Sequence, residues 1–128
     1  MNLVVDTSIL IDQLRGGDKW KQLISEIDGR TDVKLFIPSI VIFELFSGES
    51  SRKQSVVNVT RDLTHGFQRI DITESIAKRA GEIFRDIDQH LDVSDYIIAA
   101  SALEINGEIV TLNQKHFQKI PHLDSYPL

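Results

Sequence analysis

Cysteine is absent from this 128-residue chain, and tryptophan and methionine occur once each. Without thiols there is no disulfide framework, no thiolate zinc site and no cysteine nucleophile. The same absence is in keeping with a reducing, cytoplasmic setting. Three prolines and seven glycines are too few for a linker-rich or low-complexity chain, and no internal repeat is present. Apolar runs such as residues 40–43 and 97–100 fall far short of the ~20 residues that a membrane-spanning helix needs. The amino terminus, Met-Asn-Leu-Val-Val-Asp, lacks the basic start of a secretory leader and meets a carboxylate too early. Positive charge is also in deficit: 14 Lys and Arg against 19 Asp and Glu give a formal net charge of −5. That excludes a broadly cationic, nucleic-acid-coating surface. It leaves room for an acidic centre offset by cations and rimmed locally by basic residues.

What remains is an ordinary globular balance, 41% hydrophobic and 26% charged, sized for one α/β domain over residues 1–128. Leu3-Val4-Val5 reads as a buried strand, and Asp6-Thr7-Ser8 as the entry to a helix that breaks at Gly16-Gly17. Trp20, Leu23, Ile24 and Ile27 share one helical face, with Gly29 as the stop. Residues 34–37 form a second strand closed by Pro38, and Ser39 is placed to cap a helix to Phe46. Residues 50–65 read as a helix with Val56, Val59 and Leu63 on its buried side, and residues 67–72 as a third strand. Thr73 caps a long helix in which Ile76, Ala80, Ile83, Ile87 and Leu91 keep helical spacing. A helix over residues 94–106 is apolar on every side through Ile97-Ile98-Ala99-Ala100, which predicts a central position. Residues 108–111 make a fourth strand, followed by a short helical turn and a tail with two prolines. Strands alternating with helices predict a mostly parallel sheet of four to five strands in a three-layer α/β/α sandwich. In such sheets the chemistry collects beyond the carboxyl ends of the strands.

Three acids stand where that rule directs attention. Asp6 ends the first strand; its plain role would be to cap the following helix. Glu44 lies in the most apolar helix-sized stretch of the chain, so it either reaches the surface on a narrow stripe or is buried and compensated. Asp95 enters the apolar helix, where the helix dipole alone would welcome an acid. Carboxylates that converge repel one another and titrate abnormally; Mg²⁺ or Mn²⁺ relieves that, since both favour oxygen ligands and retained waters.

Residues 4–12 (VVDTSILID), 37–45 (IPSIVIFEL), 94–102 (SDYIIAASA) and 110–117 (VTLNQKHF) resemble, in order and spacing, the four signature segments of the PIN-domain ribonucleases. The total length resembles the VapC-type toxins of toxin–antitoxin pairs. The resemblance implies a PIN-like fold and a Mg²⁺- or Mn²⁺-dependent endoribonuclease with Asp6, Glu44 and Asp95 as catalytic and metal-binding residues. Asp6 and Asp95 would hold the ion, and Glu44 a second ion or its water. Hydrolysis by water rather than the ribose 2′-OH would leave 5′-phosphate and 3′-hydroxyl ends. Ser8, Thr111 and Asn113 match polar positions that support the ligands or touch substrate, with helix capping and turn formation as their plain roles. The family's usual fourth acid is replaced by His116, which is open to three roles: a phosphate contact, a ligand, or an exposed histidine. Asp92 is a further candidate for the missing charge.

Arg15, Lys19, Lys115 and His116 are placed to rim the site for RNA, while Arg52, Lys53 and Arg61 lie on the less regular helix. No basic, aromatic-rich stripe for single strands is present, so phosphate-led recognition of folded RNA is expected. The resemblance also implies a homodimer held by a VapB-type antitoxin. Trp20, Leu23, Ile24, Phe43 and Phe46 would offer an apolar groove, unless they are core. Two rivals differ in class. A receiver-like signalling domain needs an acidic pair after the first strand and an acid after a central one, and the second strand here ends Pro38-Ser39. A PIN-like module that binds RNA or protein without cleaving it would follow if the site lacking its fourth acid is inert.

Overall fold

The structure is a computed structural model that describes residues 1–88 and 90–128. Strand β1 (Asn2–Val5) lies inside a four-stranded sheet, with β2 (Lys34–Pro38) on one side and β4 (Glu108–Val110) on the other; β3 (Gln68–Ile70) pairs with β2. Every pairing is parallel, with Val4 opposite both Phe36 and Ile109. The expected four-to-five-strand sheet is therefore four strands, all parallel. The tail adds a single parallel bridge from Ser125 to Ile109 at the free edge of β4.

Leu3, Val4 and Val5 have no exposed surface, because a parallel sheet with helical crossovers is covered on both faces. Alternation sends their side chains to opposite sides. Leu3 and Val5 pack with Ile9 and Leu10 of α1 (Thr7–Leu14), Leu23 of α2 (Lys19–Ile27) and Val41 of α3 (Ser39–Phe46). Val4 packs with Ile76 and Ala80 of α5 (Glu74–Asp86) and with Tyr96, Ala100 and Ala102 of α6 (Val93–Glu104). A 3₁₀ turn (Glu49–Arg52), α4 (Gln54–His65) and α7 (Gln114–Phe117) complete the three layers.

Most elements fall where the hydrophobic pattern puts them, and the differences have local causes. Ser39 does not cap α3: it is the first residue of the helix, Pro38 occupies the N-cap position, and no side-chain cap bond forms there. Proline at the N-cap position has its φ fixed at −62° but carries no side-chain acceptor, so the first N–H groups of α3 receive no side-chain cap. Thr73 does cap α5, accepting from the Ile76 N–H at 3.2 Å. That helix stops at Asp86, however, and Ile87 is extended (φ −103°, ψ 126°). Ile87 and Leu91 still pack against the core, and the Leu91 N–H donates to the Tyr96 hydroxyl. Their spacing thus reported burial rather than helix; the part of that expected helix at position 89 lies outside the described residues. The expected helix from residue 50 starts instead with the 3₁₀ turn, held by the Ser51 hydroxyl donating to the Phe46 and Gly48 carbonyls. Its buried face is shifted rather than lost: Leu63 packs against the core as expected, but Thr60 and Thr64 are buried and Val59 is 56% exposed.

Between α1 and α2 the chain reverses at Gly16, whose φ of +86° favours glycine. The Asp12 carboxylate closes this corner by accepting from the Lys19 N–H at 3.2 Å. It lies so near Gly17 that a Cβ there would collide with both its oxygens. Trp20 of α2 meets Phe67 at a centroid distance of 5.1 Å, Leu23 is buried, and Ile24, Phe43 and Phe46 are exposed. The expected apolar groove residues are therefore divided between core and surface.

Candidate active site

The order β3-β2-β1-β4 reverses direction beside β1. The crevice at that switch, beyond the carboxyl ends of β1 and β4, is where such sheets present functional groups. Asp6 follows β1 there, with its N–H donating to the Val110 carbonyl at 2.9 Å. Its backbone occupies the N-cap position of α1, yet its side chain makes no cap bond. Instead one carboxylate oxygen, Oδ2, accepts from the Thr111 hydroxyl at 2.7 Å and the Ser8 hydroxyl at 2.9 Å. The capping role is thus not what this buried acid, 4% exposed, performs. Thr111 in turn accepts from the Asn113 N–H at 2.9 Å, and Ser8 from the Leu112 N–H at 3.0 Å. Charge-assisted hydroxyl bonds of this length fix the carboxylate and leave its second oxygen uncommitted.

Glu44 reaches the same region from α3. Both its oxygens are held: the Thr7 hydroxyl donates to Oε1 at 2.7 Å, and the Ser94 hydroxyl to Oε2 at 3.2 Å. Sequence reasoning missed both donors. Thr7 and Ser94 flank Asp6 and Asp95 in the chain, and residues adjacent to candidate ligands were the available signal. Glu44 is half-buried, so neither the fully buried nor the solvent-stripe alternative describes it.

Asp95, in the first turn of α6, is the least settled acid. Its side chain is 16% exposed and accepts no hydrogen bond among the described residues. Burial pushes its carboxyl up to about 6 from 3.8, and the negative charges of Asp6, Asp92 and Glu44 add to the rise. The His116 ring opposes it, with Nδ1 3.6 Å from Asp95 Oδ2. A poorly hydrated carboxylate facing further carboxylates is costly as an anion, and a cation beside it relieves that cost. Among the described residues, no three His, Asp or Glu side chains form a finished metal cluster. The donor chemistry nevertheless fits a hard divalent ion: one oxygen of Asp6 and the carboxylate of Asp95 accept no hydrogen bond among the described residues, with retained waters for the remainder.

The structure thus brings together Asp6, Ser8, Thr111, Glu44, Asp95 and His116, directly or through one partner. Asn113 takes part through its backbone, and its side chain is exposed. Asp92 contributes charge to Asp95 and occupies the N-cap position of α6 without a side-chain cap bond. Of the basic residues expected at the rim, Arg15 shares a groove with Glu44 and Lys115 precedes His116 on α7, whereas the Lys19 backbone is bonded to Asp12. None of the three enters an ion pair among the described residues, while Arg52 pairs with Glu49 and Arg61 donates to Asn58. A groove of about 510 Å³ adjoins the site, with Arg15 and Glu44 among its walls and Leu14, Leu45 and Val56 as its apolar side. Among the described residues, no helix is long and apolar enough to cross a membrane.

The fold and the acids at its switch point define a PIN domain, and the chain belongs to that family, whose model matches residues 3–123. Its curated relatives within the family are of the VapC type. Ribonuclease VapC1 of Methanocaldococcus jannaschii is 30% identical, over 92% of this chain and 80% of its own length. Ribonuclease VapC19 of Mycobacterium tuberculosis is 28% identical, over 94% and 95%. Among solved structures, a toxin–antitoxin complex from Klebsiella pneumoniae contains a chain 28% identical, with a TM-score of 0.78 and coverage of 98% and 99%. The DNA-bound VapBC of Salmonella typhimurium shares the fold at a TM-score of 0.83 and 20% identity, covering 98% and 97%.

Proposed function

We propose that residues 1–128 form one nuclease domain, a divalent-metal-dependent endoribonuclease that hydrolyses RNA phosphodiesters and is the toxin of a toxin–antitoxin pair. The observation that carries this reading is Asp95, a mostly buried carboxylate whose pKa is raised by burial and by Asp6. Among the described residues it accepts no hydrogen bond and has only the His116 ring, 3.6 Å away, as a cationic neighbour. The names of the VapC relatives support ribonuclease activity, and the Klebsiella toxin–antitoxin complex and the Salmonella VapBC complex support a VapB-type antitoxin as partner.

Asp6 and Asp95 would hold the ion, Mg²⁺ or Mn²⁺, and when bound it supplies Lewis acidity and water of lowered pKa. Ser8 and Thr111 fix the Asp6 carboxylate, and Thr7 and Ser94 hold Glu44 facing the same crevice. Arg15, Lys19 and Lys115 supply the cationic rim that an acidic chain needs to receive a phosphate backbone. The groove beside Glu44 suits a segment of the antitoxin, whose contact there would close access to the site. A homodimer acting in the cytoplasm completes the proposal.

Cleavage of a mixed RNA pool with Mg²⁺, Mn²⁺ or EDTA tests the reading. Activity is expected only with metal and should be lost in Asp6→Asn; persistence in EDTA, or in that variant, overturns the mechanism. An inert wild type, freed of antitoxin and loaded with metal, would favour the non-cleaving binding module.

Replacing Thr111 by valine keeps its shape but removes the 2.7 Å bond to Asp6. Metal affinity measured by calorimetry is expected to fall about 10-fold. An unchanged affinity would mean that Thr111 does not support the ligand.

A further inference from the structure

We infer that His116 is a nitrogen ligand of the same metal site, and that it tilts the site toward a transition ion such as Mn²⁺ over Mg²⁺. This rests on the reading of Asp6 and Asp95 as ligands and adds the identity of the ion they hold.

The imidazole is placed for it. His116 Nδ1 stands 3.6 Å from Asp95 Oδ2, too far for a good hydrogen bond. Two donors about 2.1 Å from one ion lie about 3 Å apart, so a modest turn of the ring brings both onto a common ion. The ring is free to make that turn. Its side chain is 48% exposed, it sits on the short α7, and among the described residues it makes no hydrogen bond.

The rest of the donor set leaves a place for it. Asp6 Oδ2 is committed to two hydroxyls, and each Glu44 oxygen already accepts one. The donors that accept no hydrogen bond among the described residues are the second oxygen of Asp6 and the Asp95 carboxylate; the His116 ring stands beside the latter, with no further carboxylate on α7. A mixed oxygen and nitrogen set of this kind is poorer for Mg²⁺, which holds out for oxygen and water. First-row transition ions accept imidazole readily.

The test is pulsed EPR on metal-free wild type titrated with Mn²⁺ alone, without RNA. Bound Mn²⁺ is expected to show ¹⁴N coupling, and His116→Gln to lose that coupling while binding Mn²⁺ about 10-fold more weakly. His116→Asp is expected to shift the Mn²⁺-to-Mg²⁺ affinity ratio toward Mg²⁺ by about the same factor. Both His116 substitutions fall on an exposed side chain, so folding is not at stake in them. Bound Mn²⁺ without nitrogen coupling, or coupling that survives in His116→Gln, overturns the inference and leaves the Asp6–Asp95 site standing. Mn²⁺ binding that Asp6→Asn does not weaken overturns both.

Discussion

Asp95→Asn is expected to abolish RNA cleavage and, in EDTA at pH 7, to make the protein more stable. The loss follows from removing a carboxylate that would hold the ion, and should exceed about 100-fold, beyond what supporting residues are worth. The gain follows from the raised carboxyl. A group at 3.8 when unfolded and about 6 when folded binds its proton more tightly in the native state. Its favourable contribution is fully present below about 3.8 and is lost as pH rises through about 6. At pH 7 the folded protein therefore carries an anion it would rather protonate. The full shift corresponds to about 3 kcal/mol, and solvent screening of this partly exposed side chain reduces that to roughly 1–2 kcal/mol. Thermal melts should show the variant a few degrees above wild type at pH 7, with the difference closing toward pH 4. A less stable variant at pH 7 would contradict the placement of Asp95 among unneutralised acids.

Three positions along the same helix, Ile98→Ala should do the reverse. Ile98 has no exposed surface and sits in the core with Leu3, Val5 and Val110. Removing its side chain leaves a cavity that costs about 2–5 kcal/mol, a large share of the ~5–15 kcal/mol holding a typical domain together. Urea titration should show that loss, with cleavage per folded molecule retained. A change below about 1 kcal/mol would mean that α6 is not the central helix.

Much of this was legible before any coordinates. Leu3-Val4-Val5 and the aliphatic stretch around Ile98 announce burial by composition, and strand–helix alternation implies the parallel sheet. The family resemblance led to Asp6, Glu44 and Asp95. The failures are equally physical. Ile87 and Leu91 kept helical spacing because both touch the core, yet the chain reaches them by an extended segment. Periodicity records which side chains are buried, not the backbone that carries them. On α4 the buried face holds Thr60 and Thr64 rather than Val59, since which side faces inward depends on neighbouring elements.

The sequence by itself determined the class of the fold, the three acids and the departure at His116. These follow from residue identity, hydrophobic order and ordered motifs, all local or linear properties. Only the tertiary structure decided what each acid does. Asp6 gives up the capping role because Thr111, 105 positions away, donates to it. Glu44 is held by Thr7 and Ser94 from two other helices, and Asp95 accepts no hydrogen bond among the described residues and faces the His116 ring at 3.6 Å. Hydrogen bonds and charge effects depend on distance in space. The closing of β4 against β1 sets those distances, and the linear sequence does not carry them.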